Sequence, residues 1–143
     1  ETFVADATAK GGRLLVGGKA LTRPGHFFQP TVLADVSPEA RISCEEVFGP
    51  VVPLMSFGTE EEVVRRANAS PYGLASYMFS TDIKRIHRVA GQLQTGLVGV
   101  NEGAVSTEVA PFGGVKESGY GREGSSHGMA DYQNLKYICL GGL

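Results

Sequence analysis

A chain of 143 residues is long enough to bury one sizeable core, and its composition, 42% hydrophobic and 20% charged, is that of an ordinary globular protein. Its net charge of −2, with no dense basic patch, argues against nucleic acid or an anionic membrane as the main partner. No apolar run approaches the roughly 18 residues that would suggest a membrane span.

The chain opens on ETFVADATAK, which reads as a helix already under way: no capping residue precedes it, and Gly11 and Gly12 end it. With no initiator Met and no signal peptide, this is the expected look of a piece of a larger protein. Three strand candidates follow. They are residues 13–17 (RLLVG), residues 27–36 (FFQPTVLADV), where Pro30 marks an edge or bulge, and residues 50–57 (PVVPLMSF). Thr59 and Glu62 form a capping box for a helix whose apolar side carries Val63, Val64 and Ala67.

Residues 68–73 (NASPYG) read as a turn and residues 74–80 (LASYMFS) as a strand. Asp82 caps the clearest helix, with Ile83, Ile86, Val89, Ala90 and Leu93 on one face, and Gly96 stops it. Residues 96–101 (GLVGVN) are a strand with little polar character, as in a sheet covered on both faces. Alternating strands and helices over residues 50–101 predict parallel βαβ connections, hence an α/β fold. Residues 103–128 are glycine-rich loop, residues 126–132 a short helix, and residues 132–140 (YQNLKYICL) alternate like a terminal strand.

Residues 119–124 (GYGREG) match G-x-G-x-x-G, the phosphate-binding pattern of dinucleotide-binding βαβ units. The context is wrong. Val115, Lys116, Glu117 and Ser118 make no buried strand ahead of Gly119, and the chain ends at Leu143 before a second strand or an acidic ribose-binding residue can follow. A turn-rich loop is the better reading. Gly114 and Gly119 have the G-x-x-x-x-G spacing of the other phosphate loop, but Tyr120 and Gly121 stand where Lys and Ser/Thr are required.

The two cysteines, Cys44 and Cys139, have neither disulfide-framework density nor metal spacing, which suits a reducing compartment, and the three histidines form no H-x-x-x-H pair. Residues 44–50 (CEEVFGP) place a thiol beside two carboxylates and an aromatic ring. Cys44 has no His or Lys nearby in sequence to generate a thiolate, and the adjacent carboxylates oppose one. Glu45 and Glu46, as neighbours in an extended segment, point to opposite sides, so at most one faces a given site. One ionised carboxylate can accept hydrogen bonds from two neighbouring sugar hydroxyls, and Phe48, on the same side as Glu46, could pack against a heterocycle. On chemistry alone that reading is weaker than a solvated turn ahead of Gly49 and Pro50.

CEEVFGPVVPL, NASPYGLASYMFSTD, GLVGVN and APFGGVKESGYGREGSSHG resemble, in order and spacing, the aldehyde dehydrogenase superfamily over essentially the whole chain. Within it, NEGAVSTEVAPFGG and YICLGGL are most similar to succinate-semialdehyde dehydrogenases. The resemblance implies that residues 1–131 are the C-terminal half of the catalytic domain, a mostly parallel sheet with flanking helices. Residues 132–143 would be an oligomerisation strand and C-terminus of a homo-oligomer. It implies that Glu46 bonds the nicotinamide ribose and Phe48 packs near the nicotinamide of NAD or NADP. Phe112 would line the aldehyde tunnel, and Ser106 would hold the carboxylate of succinate semialdehyde.

The family's nucleophilic Cys, general-base Glu, oxyanion-hole Asn, substrate-gripping arginines and Rossmann-like domain lie upstream of the matching region. No catalytic residue is therefore assigned here, and the missing N-terminal part is the implied partner. The family mechanism would be thiolate attack on the aldehyde, hydride transfer to NAD(P)+ and hydrolysis of a thioester. A dehydrogenase for another aldehyde, or a non-enzymatic scaffold or assembly module, is the alternative. The expected compartment is the cytoplasm, with the mitochondrial matrix as the alternative.

Overall fold

The computed structural model describes residues 1–142, which form two compact units, Glu1–Gly58 and the residues from Thr59 onward. The division at 131/132 expected from sequence is one of role and does not coincide with this packing boundary.

In the first unit, helix α1 (Thr2–Ala9) is followed by Gly11 with φ +91°, a left-handed position where glycine carries no Cβ penalty. Strands β1 (Arg13–Val16), β2 (Thr31–Ala34) and β3 (Val51–Pro53) form one sheet in that order. β1 pairs antiparallel with β2, with an irregularity between Leu14 and Val16, and β2 pairs parallel with β3, Thr31 opposite Val51. Pro30 lies just ahead of β2, so the strand begins where backbone N–H donors become available; Phe28 makes only an isolated bridge to Ala20.

The core of this unit gathers Val4 and Ala7 of α1, Leu33 of β2, Val36, Ala40 and Ile42, with Phe3, Phe28, Val47 and Val51 packed around them. Thr31 is buried with its hydroxyl satisfied: Oγ1 donates to the Gln29 carbonyl at 2.7 Å and accepts from Gly18 N–H at 2.8 Å.

In the second unit, α2 (Glu60–Asn68) is capped by Thr59, whose Oγ1 accepts from Glu62 N–H at 3.2 Å. α3 (Ile83–Ala90) is capped by Asp82, whose Oδ1 accepts from Lys84 and Arg85 N–H groups at 2.9 and 3.1 Å. Strands β5 (Ala75–Met78) and β6 (Leu97–Val100) flank α3 and pair parallel, Ala75 opposite Leu97 through Met78 opposite Val100. This is the expected βαβ unit. Among the described residues β3 pairs with β2 and β5 pairs with β6, and no ladder joins β3 to β5. Short strands β4 (Tyr72–Gly73) and β7 (Val115–Lys116) pair antiparallel.

Two further expectations are corrected. α2 runs through Asn68, which the sequence placed in a turn, because the Asn68 side chain accepts from Gln94 N–H and donates to the Gln92 carbonyl, both at 2.8 Å. The alternating 132–140 run is no strand among the described residues. Ala130–Tyr132 form a single 3-10 turn and the residues beyond it join no ladder. A strand needs a second backbone to satisfy its N–H and C=O groups, and this chain offers none there.

Candidate functional site

Two segments carry the candidate residues, each within its own unit. In the first, residues Arg41–Ser43 make a 3-10 turn whose start is held by Asp6, accepting from Arg41 N–H at 2.8 Å. The Arg41 guanidinium then grips Glu45 with two bonds, Nε to Oε1 at 2.6 Å and Nη2 to Oε2 at 2.9 Å, and lies 5.2 Å from the Phe3 ring centroid. This hydrogen bond holds the Glu45 carboxyl below its ordinary pKa. The Arg41 N–H, followed by Lys10, does the same for Asp6.

Val47 packs on the core. Glu46 and Phe48, on either side of it in sequence, are left outward, Phe48 at 94% exposure. Val47 is thus turned toward the core, Glu46 and Phe48 are exposed, and Glu45 is occupied by Arg41. Among the described residues Glu46 has no hydrogen-bond or ion-pair partner, so both carboxylate oxygens are open to accept. Cys44 is exposed and its thiol donates to the Pro38 carbonyl at 3.6 Å.

The second segment is the loop from Asn101 to Gly114. Its far end is fixed by reciprocal bonds between Phe112 and Glu123, N–H to carbonyl at 2.8 and 2.7 Å, and by Ser125 N–H donating to the Glu108 carbonyl at 2.9 Å. Phe112 is half-buried and lines a cleft of about 570 Å³ with Ser118, Tyr120, Arg122, Asp131 and Tyr132. Ser106 is exposed, is not among the cleft-lining residues and makes no hydrogen bond among the described residues. The structure thus puts Phe112 on a concave surface and leaves Ser106 at the free middle of the same loop.

GYGREG forms one wall of the cleft and is loop throughout, with no strand running into it and no α-helix opening at Gly124. Lys116, at φ +56°, extends Nζ to the carbonyls of Asn68 and Ser70 at 2.8 and 3.0 Å. Arg122 Nη1 donates to the carbonyls of Gly114 and Gly121 at 2.9 and 2.6 Å. Arg122 thus ties Gly114 to Gly121, and Lys116 ties β7 to the end of α2; neither was singled out from sequence. Their only sequence signal is a long basic side chain inside a glycine-rich loop, where free carbonyls need donors.

Residues 1–138 match the aldehyde dehydrogenase family. The chain belongs to that family.

It is 55% identical over 141 residues to the mitochondrial succinate-semialdehyde dehydrogenase of Arabidopsis thaliana, covering 99% of this chain and 27% of that protein. It is 52% identical over 143 residues to the 3-sulfolactaldehyde dehydrogenase of Pseudomonas putida, covering 100% of this chain and 29% of that protein. Against the crystal structure of succinate-semialdehyde dehydrogenase from Burkholderia pseudomallei the TM-score is 0.93 at 52% identity, over 97% of this chain and 29% of that one. This aldehyde dehydrogenase chain therefore has the family's α/β fold, and it spans less than a third of the length of these relatives.

Proposed function

We propose that this chain is the C-terminal part of an NAD(P)-dependent succinate-semialdehyde dehydrogenase, which oxidises succinate semialdehyde to succinate. The observation that carries the substrate reading is the Ser106 hydroxyl, exposed and without a partner on a loop anchored at both ends. A substrate carboxylate taken out of water needs such a donor, because a buried unpaired charge is costly. The two aldehydes named for the relatives, succinate semialdehyde and 3-sulfolactaldehyde, share an anionic group at the end remote from the carbonyl. The second reading, a dehydrogenase for another aldehyde of that anionic class, rests on the same hydroxyl.

The residues present fit a nicotinamide nucleotide. Glu46 presents a carboxylate without a partner among the described residues, suited to two ribose hydroxyls, and Phe48, two residues on, presents an exposed flat ring. When bound, the cofactor supplies the hydride acceptor. Within this chain, Glu46 and Phe48 orient it, Phe112 shapes the aldehyde path and Ser106 holds the far carboxylate. The nucleophile, the general base and the rest of the cofactor site belong to the part of the enzyme N-terminal to this segment. Residues 132–143 supply the pairing strand of a homo-oligomer; Leu143 lies outside the described residues. No helix among the described residues is long and apolar enough to cross a membrane, and we place the enzyme in the cytoplasm, with the mitochondrial matrix as the alternative.

The test is Ser106→Ala in the intact enzyme, read as the ratio of kcat/KM for succinate semialdehyde to that for butanal, which lacks the carboxylate. Losing one bond to a charged group predicts a fall in the ratio of about tenfold, and up to about a hundredfold. Glutarate semialdehyde and 3-sulfolactaldehyde, assayed on the unmutated enzyme, rank the anionic alternatives. An unmoved ratio sinks the substrate reading.

A further inference from the structure

The near end of the Ser106 loop is held by one residue that nothing above has given a role. Asn101 follows β6 directly and has φ +54°, a left-handed conformation that Asn tolerates better than other residues with a side chain. Its backbone N–H donates to the Met78 carbonyl at 2.9 Å. Its side-chain amide clasps the backbone of Ser80 twice: Oδ1 accepts from Ser80 N–H at 2.9 Å, and Nδ2 donates to the Ser80 carbonyl at 2.8 Å. Asn101 thus extends the β5–β6 pairing past its last regular pair, Met78 opposite Val100, while its own backbone turns out of the sheet.

The loop then folds back at once. Glu102 Oε1 accepts from Gly103 and Ala104 N–H groups at 2.8 and 3.0 Å. A Cβ on Gly99 would meet the Glu102 carbonyl oxygen at 2.7 Å and Val105 Cγ1 at 2.9 Å, so the Val105 side chain lies over Gly99 in the space a side chain would need. Ser106 is the next residue. Its place is therefore set by the angle at which the chain leaves β6, and that angle is fixed at Asn101.

We propose that Asn101 is a positioning residue for substrate selection: through its clasp on Ser80 it aims the 102–106 turn so that the Ser106 hydroxyl reaches the anionic end of the aldehyde. The inference rests on the proposed role of Ser106, and it adds that the selectivity is stored in the β5–β6 junction. A displacement of about 1 Å is enough to cost a bond of this kind much of its effect.

The experiment is a double-mutant cycle in the intact enzyme with Asn101→Gly and Ser106→Ala. Glycine keeps the left-handed backbone without strain and removes only the amide. Asn101→Gly is expected to lower the kcat/KM ratio of succinate semialdehyde to butanal by about threefold to tenfold, and to leave it unchanged when Ser106 is already Ala, since groups acting as a unit are not additive. Asn101→Asp, which keeps the acceptor for Ser80 N–H and loses the donor, is expected to fall between, and serves if the Gly variant does not fold. A residue that only stabilised the fold would lower both substrates together and leave the ratio alone. An unmoved ratio with Asn101→Gly or Asn101→Asp, while Ser106→Ala moves it, overturns the positioning role and leaves the substrate reading standing. An equal fall in both backgrounds overturns it as well, because Asn101 would then act by a route that bypasses Ser106. If Ser106→Ala itself leaves the ratio unmoved, the substrate reading and this inference fall together.

Discussion

Gly96, at the entry to β6, and Gly113, beside Phe112, meet backbone to backbone: a Cβ on Gly96 would overlap the Gly113 carbonyl oxygen. A strand at this point and the turn that carries Phe112 can approach this closely only because Gly96 has no side chain. Gly96→Ala must therefore push the Pro111–Gly114 turn away from β6. Overpacking of this kind costs about 1–3 kcal/mol. We expect the intact enzyme to lose thermal stability and kcat/KM for succinate semialdehyde and butanal alike, since the role proposed for Phe112 is common to both. Gly103→Ala, at a position with nothing within 4 Å of the added carbon, is the control and is expected to leave the melting temperature unchanged. Equal effects of the two substitutions would show that the Gly96–Gly113 approach sets nothing.

Glu45 and Glu46 are adjacent and have different tasks. Glu45 is engaged by Arg41, whereas Glu46 is open. Glu46→Gln keeps the size and loses the charge that strengthens bonds to ribose hydroxyls. Transient kinetics of the intact enzyme should show hydride transfer slowed by about tenfold, with cofactor affinity changed less. Glu45→Gln should leave the hydride step near its original rate and lower the stability of the first unit instead. If the two substitutions exchanged these effects, the assignment of the outward carboxylate would be wrong.

Asp6, Glu45 and Glu60 all have carboxyl pKa values below their ordinary ones. For Asp6 the chief cause is the Arg41 backbone N–H, for Glu45 the Arg41 guanidinium, and for Glu60 the hydrogen bond from Arg88, whose Nη2 lies at 2.8 Å. A carboxyl that is more acidic folded than unfolded stabilises the fold above its unfolded pKa, and that contribution is lost as pH falls through the folded value. The melting temperature should therefore hold from neutral pH down to about 5 and fall below that, toward about pH 3. Asp6→Asn should flatten the acid side of the profile. A profile identical to that of the unmutated protein would mean that the Asp6–Arg41 contact contributes nothing to acid sensitivity. Because Glu45 is exposed and Asp6 and Glu60 are still partly open to solvent, added salt should shrink the effect.

On the proposed reading, which assigns the attacking thiolate to the part of the enzyme N-terminal to this segment, the 143-residue chain by itself should oxidise no aldehyde. It should also self-associate. Leu135, Tyr137, Ile138 and Leu140 are all exposed, in a segment whose backbone joins no ladder among the described residues. Light scattering on the purified chain, with and without residues 132–143, measures this. A monodisperse monomer, or NAD(P)H production from succinate semialdehyde, contradicts the respective expectation.

What the sequence by itself determined is local. The caps at Thr59 and Asp82 and the strands at 13–16, 31–34 and 97–100 follow from side chains close in sequence and from simple periodicity. So does the exposure of Glu46 and Phe48 on either side of Val47, which packs against the core. Family membership was legible for a different reason: long, collinear motifs carry more information than any single spacing. The tertiary structure decided what depends on partners distant in the chain. It gave β3 to β2, closed Arg41 on Glu45, laid the Gly113 carbonyl against Gly96 and tied Asn101 to Ser80. Pairing of that sort depends on which unsatisfied backbone groups come to face one another once the core has collapsed, and no local pattern of residue types encodes it. The terminal run YQNLKYICL has the right alternation for a strand and lacks the second backbone, and a strand exists only where both are present.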